Sequence, residues 1–282
     1  VQEEMIQNIV TALAVKVSSA ELKRVGRIET RNMDAYDFYL QAKKVLNDPG
    51  KATVEGNDET RRLLEKSIEL DADFSKPYGL LSYVYVREYQ NAWSEDRNAS
   101  LKKAEEYARK ELALADSFDG HWSLAIVYSN QGDFEKSLNE YTIARSLNPN
   151  DPDLLAEMGE ALIYAGEVET AKAQIADAIR RNLEKPWWYY WNYGRAQYMA
   201  KEYQEAIDTI AKINDPPIDV LLITAASKAQ LGQIDAAKAD MAKFSASDPD
   251  WSIAKSAEYY YRNDSDRQHW LDGLRKAGLK EK

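Results

Sequence analysis

An all-α solenoid of about six stacked helical hairpins is the fold class this sequence predicts. Three observations lead there. Gly132 and Gly166 stand 34 residues apart, at the same place in two copies of a helix–turn–helix pattern. Around these turns, apolar or small residues recur at i, i+3, i+4 and i+7, as one buried face of a helix requires. Prolines and capping residues punctuate the copies: Pro149 stops one helix, Asp151 caps the next, and Pro152 suits its first turn. One hairpin cannot bury its apolar face alone, so the copies must stack. The expected product is a right-handed superhelix with a concave face, an N-terminal flanking helix and C-terminal capping helices.

Residues 1–31 carry Met5, Ile9, Leu13 and Val17 at helical spacing and begin VQEEMIQNIV, without an initiator Met or a signal-peptide pattern. They read as the tail of a preceding domain. The hairpins occupy 32–251, with insertions near 47–58 and 88–99. Tyr36, Tyr39 and Leu40 pair with Leu64 and Ser67 across NDPGKATVEGND. Tyr78, Leu81, Ser82 and Tyr85 pair with Ala104 and Ala108 across REYQNAWSEDRN, where Ser94 reads as a helix cap. The third hairpin has His121, Leu124, Ala125 and Tyr128 before Gly132-Asp133, then Phe134, Ser137, Tyr141 and Ala144. The fourth repeats this with Leu155, Met158, Gly159 and Leu162, then Ala171, Ile175 and Ala178. The fifth starts at Trp187, with Tyr190 and Tyr193 as expected core, and is cut short at Asp215-Pro216-Pro217. The sixth runs from Ile218 through Gly232 to Pro249, and residues 252–282 close the array.

Composition narrows the function classes. The 282 residues include no cysteine, which excludes disulfides and thiolate chemistry. A formal charge of −10 argues against nucleic acid as a partner of this region, because phosphates reward Lys and Arg. No apolar run reaches the ~18 residues that a membrane span needs, so no membrane insertion is expected.

The 34-residue period is that of the tetratricopeptide (TPR) hairpin. Four phrases go further: NMDAYDFYLQAKKVL (32–46), AWSEDRNASLKKA (92–104), WWYYWNYGRAQYMAKEYQEAI (187–207) and LDGLRKAGLKE (271–281). In content and order they resemble the C-terminal TPR region of bacterial class III adenylate cyclases and related TolB-like, TPR-containing regulators. EEMIQNIVTALAVKV looks like the last helix of the TolB-like part. The resemblance implies a regulatory module behind a cyclase or transcription-regulator domain. It implies a cytoplasmic setting, or a periplasmic one if a membrane anchor precedes these residues. Because class III cyclases work as dimers, it also makes a homodimer plausible. No cyclase catalytic motif is matched here.

On the first helix of a TPR, the positions facing the groove differ from those of the packing stripe. That geometry assigns Tyr83, Arg87, Trp122, Tyr164, Trp188, Trp191, Arg195 and Tyr198 to a groove for a protein or peptide. Aromatic and Arg side chains are the types that most often anchor partners. The competing reading packs them against neighbouring or closing helices. The chaperone-binding Lys/Asn clamp is missing, because its position holds Gly79, Trp122, Ala156, Trp191 and Leu222. His121 reads as hairpin packing and His269 as solvent-facing, too far apart to share a metal. The Asp/Asn/Gly-rich 47–58 stretch lacks the order of a calcium loop. No catalytic residue, metal or cofactor is expected. Self-association and capture of a small molecule between the tryptophans stand as the rival functions.

Overall fold

Asn32 opens the first helix by accepting hydrogen bonds from the Asp34 and Ala35 amides, satisfying donors that a helix start otherwise leaves unpaired. The structure, a computed structural model, describes residues 30–282. The N-terminal helix expected over 1–31 therefore lies almost wholly outside the described residues. Among those described there are α-helices and one 3-10 turn, and no strand. They divide into two compact units: the residues up to Tyr128 with Asn139–Asn150, and Ser129–Leu138 with Asp151–Lys282.

In the first unit, α1 (Met33–Leu46) packs on α2 (Val54–Leu70), and α3 (Lys76–Gln90) on α4 (Arg97–Leu114). Leu64, Phe74 and Leu81 are fully buried, and Tyr39 meets Phe74 edge to face at 5.3 Å. The Ser67 hydroxyl, buried on α2, donates to the Ala35 carbonyl at 2.6 Å. The insertions resolve into helix as well as loop. Pro49–Lys51 forms the 3-10 turn, and Thr53 then caps α2. In the second insertion Asp96, not Ser94, caps α4, accepting from the Ala99 amide at 3.0 Å. The Ser94 hydroxyl instead bonds the Asp96 backbone, because its position precedes the helix by too far. In α5 (Phe118–Asn130), Leu124 and Tyr128 pack on Ala108. His121 bridges Asp116 at 2.9 Å and Glu140 at 2.5 Å, the latter on α6 (Phe134–Leu147).

The second unit contains α7 (Pro152–Tyr164), α8 (Val168–Arg181), α9 (Trp187–Met199), α10 (Tyr203–Ile210), α11 (Val220–Gln230), α12 (Ile234–Ser247), α13 (Ile253–Ser256) and α14 (Asp264–Lys276). Asp151 caps α7 through the Asp153 and Leu154 amides, with Pro152 in the first turn. Successive helices pair as antiparallel hairpins, and α7, α9 and α11 lie side by side. Gly159 permits the first of these pairings, since a Cβ there would sit 2.3 Å from Ile175 Cγ1. The turn glycines Gly132, Gly166 and Gly232 all have φ between 78° and 80°, a left-handed conformation that glycine adopts without steric cost.

One expectation about the core is corrected. Tyr190 and Tyr193 are only half-buried, whereas Tyr189 is fully buried against Leu155, Ala156 and Ala178. The departure is confined to the first turns of α9, where Tyr189 and Asn192 are buried in place of Tyr190 and Tyr193; from Gly194 to Met199 the helix is buried throughout, and Gly194 packs against Ile210 as the repeat pattern assigns. The preceding hairpin offers small side chains at Ala156 and Ala178, and this is where a ring finds room.

Candidate functional site

The eight residues assigned to the groove do not share one fate. In the first unit Tyr83 is 37% exposed on α3. One turn on, Arg87 is half-buried and lays its guanidinium 5.5 Å from the Trp93 ring. Trp122 is half-buried beside Phe118, with ring centroids 5.2 Å apart. In the second unit Trp188 packs against the cluster around Tyr189. Trp191 is half-buried and meets Trp187 edge to face at 6.4 Å, while Trp187 is 45% exposed.

Tyr164, Arg195 and Tyr198 are buried, which corrects their assignment to an open groove. The C-terminal segment lies across the face made by α7, α9 and α11. Tyr259 stacks on Tyr164 with an interplanar angle of 6°, and Tyr261 meets the same ring edge-on at 4.9 Å. The Arg195 guanidinium is enclosed by the rings of Tyr164 at 4.8 Å, Trp270 at 5.3 Å and Tyr259 at 5.9 Å. Next along the face, the Tyr198 hydroxyl donates to the His269 carbonyl at 2.9 Å, and its ring stacks on the His269 imidazole at 4.8 Å. His269 is thus half-buried rather than solvent-facing.

The backbone fits this course. The Arg262 amide donates to the Tyr164 carbonyl at 2.9 Å, at the end of α7. Gly273 lets α14 close on α9 and α11, because a Cβ there would stand 2.1 Å from the Tyr198 hydroxyl and 3.1 Å from Ala226 Cβ. Beside the segment an open cleft of about 830 Å³ runs between the Gln131–Glu135 turn and Tyr260–Arg262.

Burial governs the electrostatics. It raises the Tyr164 and Tyr261 hydroxyls above their ordinary values, against the pull of Arg195. It also raises the Glu160 carboxyl, with Arg195 and Asn192 acting in the opposite sense. Burial lowers the His269 imidazole, helped by Lys201 and Lys276 and opposed by the Tyr198 carbonyl and Asp266. Arg195 itself is poorly satisfied. Its guanidinium hydrogen bond is a long one, 3.3 Å to the Tyr261 hydroxyl, and Nε has no partner. No group of three or more His, Asp or Glu among the described residues could hold a metal.

Sequence reasoning missed Tyr259, Tyr261 and Trp270 as members of this cluster. The Tyr259–Tyr261 run and the glycine inside α14 were the available signals. Neither says which face of the array the segment crosses.

No family model matches the chain. Over 130 residues it is 25% identical to the protein of Rhizobium meliloti (strain 1021) described as "Putative adenylate cyclase 3"; the match spans 46% of this chain but only 22% of that protein. Among solved structures, the chain superposes on the Pseudomonas aeruginosa pilF protein with a TM-score of 0.57 at 16% identity, over 81% of this chain and 96% of the other. The Cut9–Hcn1 hetero-tetramer of the APC/C gives 0.62 at 17% identity, over 98% and 52%. A thermophilic TPR protein of Thermus thermophilus gives 0.50 at 18%, over 70% and 98%. At these identities the likeness is one of fold, and it places the chain's hairpins among all-α repeat architectures of the TPR kind.

Proposed function

We propose that this chain is a protein- or peptide-binding module that regulates an attached effector, in the manner of the TPR regions of bacterial adenylate cyclases and related regulators. The observation that carries the reading is the Trp187–Trp191 pair. It presents rigid indole surface on one turn of α9, accessible beside a fully packed core. Indole rings bury much area with few rotors, and such residues dominate binding energy at interfaces. The partial match to a cyclase supports a cyclase-like effector. No helix among the described residues is long and apolar enough to cross a membrane.

The test is a peptide array probed with the chain and with Trp191→Ala. We expect the substitution to weaken captured peptides about tenfold, a loss of ~1.4 kcal/mol, with far-UV circular dichroism unchanged. Capture that is indifferent to Trp191 would sink the reading.

Self-association is a second reading, favoured by α1. Met33 is 72% exposed, Leu40 45% and Tyr36 36%, an apolar stripe at i, i+3 and i+7. Light scattering across a concentration series tests it; a mass that stays monomeric argues against it.

A further inference from the structure

In the second unit, the face of α7, α9 and α11 is not bare. Residues 259–273 of the same chain lie along it, held mainly by side-chain faces. Tyr259, Tyr261 and Trp270 surround Arg195, and Gly273 sets the closest approach. The mode of attachment is that of a docked peptide, with aromatic anchors around a buried cation and few main-chain bonds to the body.

The fit is incomplete in one respect. Arg195 is 6% exposed, yet its Nε has no partner and its hydrogen bond to Tyr261 is long. A buried guanidinium surrounded by π faces gains cation–π attraction, and the Glu160 carboxyl acts on it electrostatically, yet no carboxylate among the described residues hydrogen-bonds its N–H donors. The segment carries Asp264, Asp266 and Asp272 against Arg262 and Arg267, a slight acidic excess beside three tyrosines. Asp264 and Asp272 spend their charge on Arg267 and Arg275, one turn along α14, rather than on Arg195.

We infer that residues 259–273 are an internal occupant of a peptide-binding face, displaced by a partner segment of like chemistry, acidic and tyrosine-bearing, whose carboxylate reaches Arg195. The inference rests on the peptide-module reading above and names a second surface for it, distinct from the Trp187–Trp191 pair. The closed segment acts as a competitor. A binding face open in only a small fraction of molecules lowers apparent affinity by that fraction.

The experiment uses the full chain and a synthetic peptide of residues 256–272, SAEYYYRNDSDRQHWLD, followed by fluorescence anisotropy. Gly273→Leu drives a side chain into Tyr198 and should release the segment, raising apparent affinity for the peptide at least about tenfold. Adding Arg195→Ala to that variant should remove the gain. Tyr261→Ala, which deletes an anchor without adding bulk, serves if the leucine variant does not fold by circular dichroism. A folded, released variant that gains no affinity overturns the inference. So does one that gains mass in light scattering, because the occupant is then a second copy of the chain. Either result leaves the Trp191 test standing. A failed Trp191 test, in turn, leaves this gain measurable.

Discussion

Tyr198 illustrates how a single side chain here serves both core and contact. Its ring is fully buried, its hydroxyl donates to the His269 carbonyl, and Gln230 Nε2 donates to it at 3.3 Å. Tyr198→Phe keeps the packing and removes the hydroxyl. It should cost about 1 kcal/mol in urea unfolding, against ~3–5 for Tyr198→Ala, which also leaves a cavity. His269 gives the same contact a pH dependence. Burial holds its folded-state value below the ordinary one, so the unfolded chain takes up the proton first. Stability is therefore full above the ordinary imidazole range and falls as pH drops below ~6.5, levelling off beneath the lowered value. The groups facing the imidazole are Lys201, Lys276, Asp266 and the Tyr198 carbonyl, none of which reverses that direction. Urea midpoints at pH ~7.5 and ~5.5 should differ for the native chain and converge for His269→Gln. Equal differences in both would refute the assignment.

At the level of the hairpin, the three left-handed glycines separate backbone need from steric need. Nothing lies within 4 Å of the place a methyl on Gly232 would take, so Gly232→Ala should cost only the left-handed backbone penalty, about 1–2 kcal/mol. At Gly132 a Cβ would stand 2.9 Å from the Tyr260 ring, and at Gly166 2.4 Å from Asn263 Nδ2. Alanine at those two turns should cost more and also loosen residues 259–263, seen as faster proteolysis of the C-terminal segment. Equal losses at all three turns would mean that the segment does not lean on them. The turns themselves were legible in advance, because a glycine between two amphipathic stripes has one reading. The buried side of the first turns of α9 was not. Its Trp/Tyr-rich sequence is apolar almost all round, so periodicity cannot choose the buried face, and the small side chains of the preceding hairpin choose it.

For the chain as a whole, repeat architecture predicts stability that sums over neighbouring hairpins rather than one all-or-none core. Hydrogen exchange under native conditions should show α14 opening before α7 and α9, since it is held by side-chain contacts at the end of the chain. Exchange of α14 that is as slow as that of α9 would mark it as an integral layer and count against a displaceable segment. The all-α repeat fold, the turn positions, the Asp151 cap and the absence of thiol chemistry were all readable from spacing and composition, since each depends on residues close together in sequence. Which aromatics stay exposed was a different matter. Tyr164, Arg195 and Tyr198 occupy positions that face outward from their own hairpins. They are buried because Tyr259, Tyr261 and Trp270 fold back over them from far along the chain, with Tyr261 standing 66 residues beyond Arg195. Local periodicity carries no information about contacts at that separation, and a long-range docking event alone turned the expected groove into an occupied one.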